Sequence, residues 1–172
     1  MNVEEATQAV NNYVETLGTK ELTLIGPNGN MSISFAEMGL TANANIAAQE
    51  AIIVGNSGNL ISRFKELKDL EVENVVIDMG LTIDKQIVAQ QIYNEADKLN
   101  IKAIDNGLKR ENGQFVYIEG QTGDEVDIVA SVNSLSEHIA TEWDSPEETP
   151  SQEFALTSVQ AEPRGTQEEL AK

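Results

Sequence analysis

The chain has 172 residues, 40% of them apolar, and contains no cysteine. That length suffices for one domain with a real core or for two small ones, and the lack of cysteine excludes disulfides, thiolate metal sites and a cysteine nucleophile. Eleven Lys and Arg against 29 Asp and Glu leave a net charge of −18, which argues against nucleic acid and against direct docking on anionic membrane lipid, since both call for basic clusters.

The chain opens on Asn2-Val3-Glu4-Glu5-Ala6. This stretch has neither the basic nor the apolar region of a signal peptide, so a membrane anchor is expected outside this segment. No run reaches the roughly 18 apolar residues of a membrane span. Asn2 and Glu5 stand at cap and capping-box positions for a first helix. Its apolar stripe is Val3, Ala6, Val10, Tyr13, Val14 and Leu17, and Gly18 ends it. Leu22–Ile25 and Met31–Phe35 alternate around Asn28-Gly29, the pattern of a β-hairpin. Gly39 then leads into a helix near Ile46–Val54, and a further amphipathic helix is expected over Leu60–Leu70.

The β-branched run Val72–Asp78 predicts a strand. Thr82 or Asp84 caps a helix with Val88, Ile92, Ala96 and Leu99 on one face. A second hairpin turns at Asn112-Gly113. Gly123 leads into a last helix, whose buried stripe is Ile128, Val132, Leu135 and Ile139. Residues 142–152 are acidic and Pro-containing, which reads as a surface loop. Phe154–Val159 is expected to be a strand that pairs into the existing sheet, and Thr166 with Glu169 forms a capping box.

Asn28-Gly29 and Asn112-Gly113 lie 84 residues apart, as do Gly39 and Gly123, Asn43 and Asp127, and Thr82 and Thr166. The expected fold is therefore α+β, with two tandem copies of a helix–β-hairpin–helix unit packed as one domain over residues 1–141. Copy one spans about 2–71 and copy two about 72–141. Residues 153–172 form a C-terminal strand and the start of a linker to a downstream domain.

Three stretches carry a family resemblance: Asn2-Val-Glu-Glu-Ala6; Phe35-Ala-Glu-Met-Gly-Leu40 with Ala51-Ile-Ile-Val-Gly55-Asn-Ser-Gly-Asn59; and Gly123-Asp-Glu-Val-Asp127. They are similar to the peptidoglycan-binding domain of VanW-family proteins, which also precedes L,D-transpeptidase domains in Gram-positive cell-wall enzymes. The resemblance implies peptidoglycan as a partner, an extracytoplasmic location at the cell wall or cell surface, and a downstream domain in the same protein. It also marks Asn56 and Asn59 as ligand-binding candidates, Asn56 standing where the family often has a basic residue.

No catalytic set emerges. His138 is the single histidine, so a Ser-His-Asp triad has one possible centre and no supporting motif. Ser62-Arg-Phe-Lys65 matches Ser-x-x-Lys and Ser131-Val-Asn133 matches part of its second companion signature, but the Lys-Thr-Gly element is absent. Glu119, Asp124, Glu125 and Asp127 cluster around one loop and offer oxygen ligands for a calcium ion, but Asp127 is better placed as a helix cap. No metal or cofactor is called for. Sugar binding generally uses exposed aromatic platforms. Tyr117 on the second hairpin is one candidate; it and Phe115 are expected on opposite faces of one strand, so that one of the two stands exposed. Trp143, beside the acidic loop, is the other. The sequence thus reads as a non-catalytic wall-binding module, with a structural spacer or protein-interaction domain as the alternative.

Overall fold

The structure is a computed structural model describing residues 3–53, 78–143 and 150–170. The Asn2 cap, the Leu60–Leu70 helix, the strand expected from Val72, the Ser62–Lys65 motif, and Asn56 and Asn59 lie outside these residues, as does most of the acidic loop.

Helix α1 (Val3–Gly18) places Glu4 and Glu5 in its first turn, where carboxylates suit the helix dipole. It buries Ala6 and Leu17. Strands β1 (Glu21–Ile25) and β2 (Asn30–Ser34) pair antiparallel with Leu24 opposite Met31. Their period-two alternation sends Leu22, Leu24, Met31 and Ile33 into the core and leaves the other face to solvent. The turn closes through Gly26 N–H donating to Gly29 O at 2.8 Å. Gly39 adopts φ +69°, and the chain passes through a Thr41–Thr82 bridge into α2 (Ala44–Ile53).

Helix α3 (Lys85–Asn94) is capped by Asp84, whose carboxylate accepts from the N–H groups of Gln86 and Ile87. The helix expected to continue to Leu99 breaks at Glu95, and α4 (Ala96–Leu99) follows. A long ribbon comes next. Ile101 bridges Asp124 and Ile104 bridges Gln121. Beyond them β3 (Gly107–Glu111) pairs with β4 (Gln114–Ile118) around Asn112 and Gly113. Both turn residues have positive φ, 50° and 84°, as a type I′ turn requires. Gly123 does not open directly into a helix, as its sequence context predicts. It begins β5 (Gly123–Val126), and Asp127 then caps α5 (Ile128–His138) by accepting from Ala130 N–H at 2.9 Å. A π-helical turn, Ile139–Trp143, extends α5.

The expected strand Phe154–Val159 is two strands. Strand β6 (Glu153–Ala155) lies parallel to β1, with Phe154 opposite Leu24. Strand β7 (Ser158–Ala161) lies antiparallel to β5, with Gly123 opposite Ala161. They separate because Leu156 turns into the core and Thr157 bonds to Ser131. The tail ends in α6 (Gln167–Leu170), opened by a reciprocal box: Thr166 N–H donates to Glu169 and Glu169 N–H to Thr166 Oγ1. The molecule is thus mixed α+β, with small sheets ordered β2-β1-β6, β3-β4 and β5-β7. One apolar cluster draws on Leu17, Leu24, Phe35, Ile92, Leu135, Trp143 and Leu156. Residues from the start, middle and tail of the chain therefore share a single core.

Candidate functional site

The two hairpins differ in what they do with their side chains. Alternate residues of β1 and β2 enter the core, whereas no residue of β3 or β4 is buried. A Cβ built at Gly107 or Gly113 would meet no atom within 4 Å. The β3–β4 hairpin is an arm standing out in solvent.

Its base explains how it is held. Asn106 Oδ1 accepts from Gly120 N–H at 2.7 Å, a side-chain amide replacing a ladder bond. A side chain at Gly120 would collide with the backbone of Ile104 and Asp105, and one at Gly123 with that of Ile101 and Ala103. Glycine is needed at both places because the opposing backbones approach so closely. The tail ties in here too. Arg164 N–H donates to Asp105 Oδ1 at 3.0 Å, and Asn106 N–H donates to Arg164 O at 3.0 Å.

The register sets the arm's chemistry. Leu108 pairs with Tyr117 and Arg110 with Phe115. Directly opposed residues share a face, and so do residues two apart on a strand. Leu108, Arg110, Phe115 and Tyr117 therefore form one patch, and Phe115 and Tyr117 lie on the same face rather than opposite ones. Phe115 is 71% exposed and Leu108 44%; Tyr117 is half-buried. Val116 and Ile118 are exposed as well and belong to the other face.

Charge is concentrated in this region. Of the seven Lys and Arg among the described residues, Lys98, Lys102, Lys109, Arg110 and Arg164 lie on the arm, just before it, or on the tail that crosses its base. Lys109 pairs with Glu111 at 3.0 Å and Lys102 with Asp97 at 2.7 Å. The hydrogen bond and charge of Lys102 hold Asp97 below the usual carboxylate range, and Asp97 raises Lys102 in return. Among the described residues Arg110 has no ion-pair partner.

The other candidates do not join this patch. Trp143 is 1% exposed. Its ring centre lies 4.7 Å from that of Phe35, and Lys20 Nζ stands 5.5 Å from it. Both neighbours occupy space a sugar would need, so Trp143 is a core residue and not a platform. His138 is half-buried, with its ring 5.2 Å from Phe154. The calcium candidates Glu119, Asp124, Glu125 and Asp127 do not converge: Asp127 caps α5, Asp124 pairs through its backbone with Ile101, and no group of three or more metal-ligating side chains forms among the described residues. Two open depressions, one along α1 at Glu4, Glu5 and Gln8 and one beside Asn43 and Met79, have no aromatic or cationic residue among their described lining. The sequence signal for the missed Arg110 and Leu108 was present in the two-residue Asn112-Gly113 turn, which dictates that Arg110 opposes Phe115.

With this geometry established, the family relationship is informative. The model of a family described as "Putative peptidoglycan binding domain" matches residues 31–144, about two thirds of the chain. The chain belongs to this family of binding domains, which associates it with the cell wall and with peptidoglycan. No curated protein and no solved structure gives a match. The matched span runs from β2 through Trp143 and contains the whole arm. No helix among the described residues is long and apolar enough to cross a membrane.

Proposed function

We propose that this chain is a non-catalytic, extracytoplasmic wall module that holds peptidoglycan on the Leu108–Arg110–Phe115–Tyr117 face of its arm. Family membership supplies the ligand class. The observation that supports the location is the open ring of Phe115, 71% exposed beside Tyr117. A sugar's C–H face stacks on such a ring, and the tyrosine hydroxyl adds a polar handle. Asn56 and Asn59 are proposed as secondary contacts on the strength of the VanW-like motif alone. In this reading the module belongs to a larger VanW-like surface protein of a Gram-positive wall. The 84-residue repeat is read as two tandem helix–β-hairpin–helix units packed as one domain, and the module precedes a downstream domain.

Retention on purified sacculi tests the reading. The chain should be retained above an unrelated acidic control, and Phe115→Ala with Tyr117→Ala should cut retention by roughly thirtyfold, since each ring contact is worth on the order of 1 kcal/mol. Retention equal to the control would refute it. Should the full-length protein stay on the wall after this segment is deleted, the segment is a spacer.

A further inference from the structure

The chain is strongly anionic, and so is the wall, whose peptide stems carry carboxylates. An acidic module that binds such a polymer needs a local device that outweighs the repulsion. Three observations point to one residue. First, the chain has 29 acids for 11 bases, so a basic side chain in it has abundant partners. Second, Lys109 and Lys102, on the arm and at its base, have taken such partners, whereas Arg110, like Lys98 and Arg164 beside the base, has none among the described residues. Third, Arg110 opposes Phe115 across the hairpin, which puts its guanidinium on the aromatic face and away from the Lys109–Glu111 pair.

We infer that Arg110 makes this face selective for free carboxylates of peptide stems, so that the arm recognises anionic stem peptide and not neutral glycan alone. The inference rests on the peptidoglycan reading above and specifies the ligand for the same face. A guanidinium offers a planar fork of N–H donors that matches the two oxygens of a carboxylate. The neighbouring rings of Phe115 and Tyr117 supply apolar surface for the rest of the stem or for the attached sugar. No bond is made or broken.

The test uses the full 172-residue chain on sacculi whose carboxylates have been converted to amides with a carbodiimide and ammonium, beside untreated sacculi. Salt is held near 0.15 M, where exposed charges more than about 8 Å apart are screened. The sign separates the alternatives. Capping the wall's carboxylates removes repulsion, so a merely acidic protein is retained equally or better. The wild-type chain should instead lose retention by roughly three- to tenfold, the value of a charge-assisted pair. Arg110→Gln should bind weakly to both preparations with a ratio near one, and Arg110→Lys should fall between.

Both variants should melt with the wild type, because Arg110 is exposed. A parallel set stripped of phosphate-bearing polymers by hydrofluoric acid should show the same wild-type ratio. If stripping abolishes retention, the anion is a phosphate and the inference fails. It fails equally if amidation leaves wild-type retention unchanged or raised, or if Arg110→Gln keeps the wild-type ratio. Absence of retention on every preparation overturns the peptidoglycan reading and this inference together, whereas retention that ignores amidation overturns this inference alone.

Discussion

Ser131 and Thr157 exchange two hydrogen bonds: Thr157 N–H donates to Ser131 Oγ at 2.9 Å, and that hydroxyl donates to Thr157 O at 3.1 Å. Asp127 N–H donates to the same carbonyl at 2.9 Å. Ser131 is fully buried, so α5 and the tail are joined by polar groups that have lost their water. Ser131→Ala leaves Thr157 N–H without its acceptor, and such an orphan costs about 1–3 kcal/mol. Urea unfolding should show this as a lower midpoint with an unchanged slope. An unchanged midpoint would mean that water replaces the hydroxyl.

Trp143 is the chain's single tryptophan, which makes it a reporter. Its emission should be blue-shifted in the folded protein, move to the red on unfolding, and stay constant when muropeptides are added. A ligand-dependent shift would show that the ring contacts ligand after all. Trp143→Ala should cost about 3–5 kcal/mol as a large core deletion, read by thermal or urea unfolding.

The glycines of the arm should separate sharply. Gly107→Ala meets open space and should alter stability by less than about 0.5 kcal/mol. Gly120→Ala forces the opposing backbone apart and should cost roughly 1–3 kcal/mol. Amide exchange across β3 and β4 is the sensitive readout. Equal protection in the two variants would contradict the close approach at the base.

Acid should loosen the turn after β2. Glu37 accepts from Ser34 N–H at 2.9 Å and from its hydroxyl at 2.7 Å, bonds that hold its carboxyl below the ordinary value of 4.5. A depressed carboxylate contributes stability above its unfolded pKa and loses it as pH falls through the folded one. The contribution is thus complete above about pH 4.5 and fades below. A Glu37 side-chain titration by NMR should show a low midpoint, and Glu37→Gln should remove the pH dependence of the Ser34 amide shift. A midpoint at the ordinary value would contradict these two bonds from Ser34.

Much of this was legible in the residues. The alternation of Leu22, Leu24, Met31 and Ile33 gave the first hairpin and its inward face. The caps Asp84 and Asp127 and the Thr166–Glu169 box follow from side-chain chemistry at a helix start, which is local and therefore readable. Pairings between distant segments were harder. Ser158–Ala161 joins Gly123–Val126 by backbone bonds that carry no side-chain signature. Trp143 looked available because the acidic loop follows it, but its burial depends on Phe35, more than 100 positions earlier. The exposure of the arm was obscured for the opposite reason. Leu108 and Phe115 on one face, and Val116 and Ile118 on the other, are core residues by type, and only the tertiary arrangement leaves them in solvent.

The parallel pairing of Thr23 with Glu153 also bears on the order of folding. The first hairpin is complete by residue 34, yet the strand on its other edge and the buried Leu156 lie about 120 positions downstream. During synthesis the β1 edge that receives β6 and the core position that Leu156 fills must wait for the tail, even after Val88, Ile92, Val132 and Leu135 have emerged to pack on the inward faces of β1 and β2. Closing so long a loop is slow, and an open, apolar intermediate invites aggregation or capture by chaperones. A nascent chain halted before residue 153 should be cut readily by protease, and one halted past residue 161 should resist.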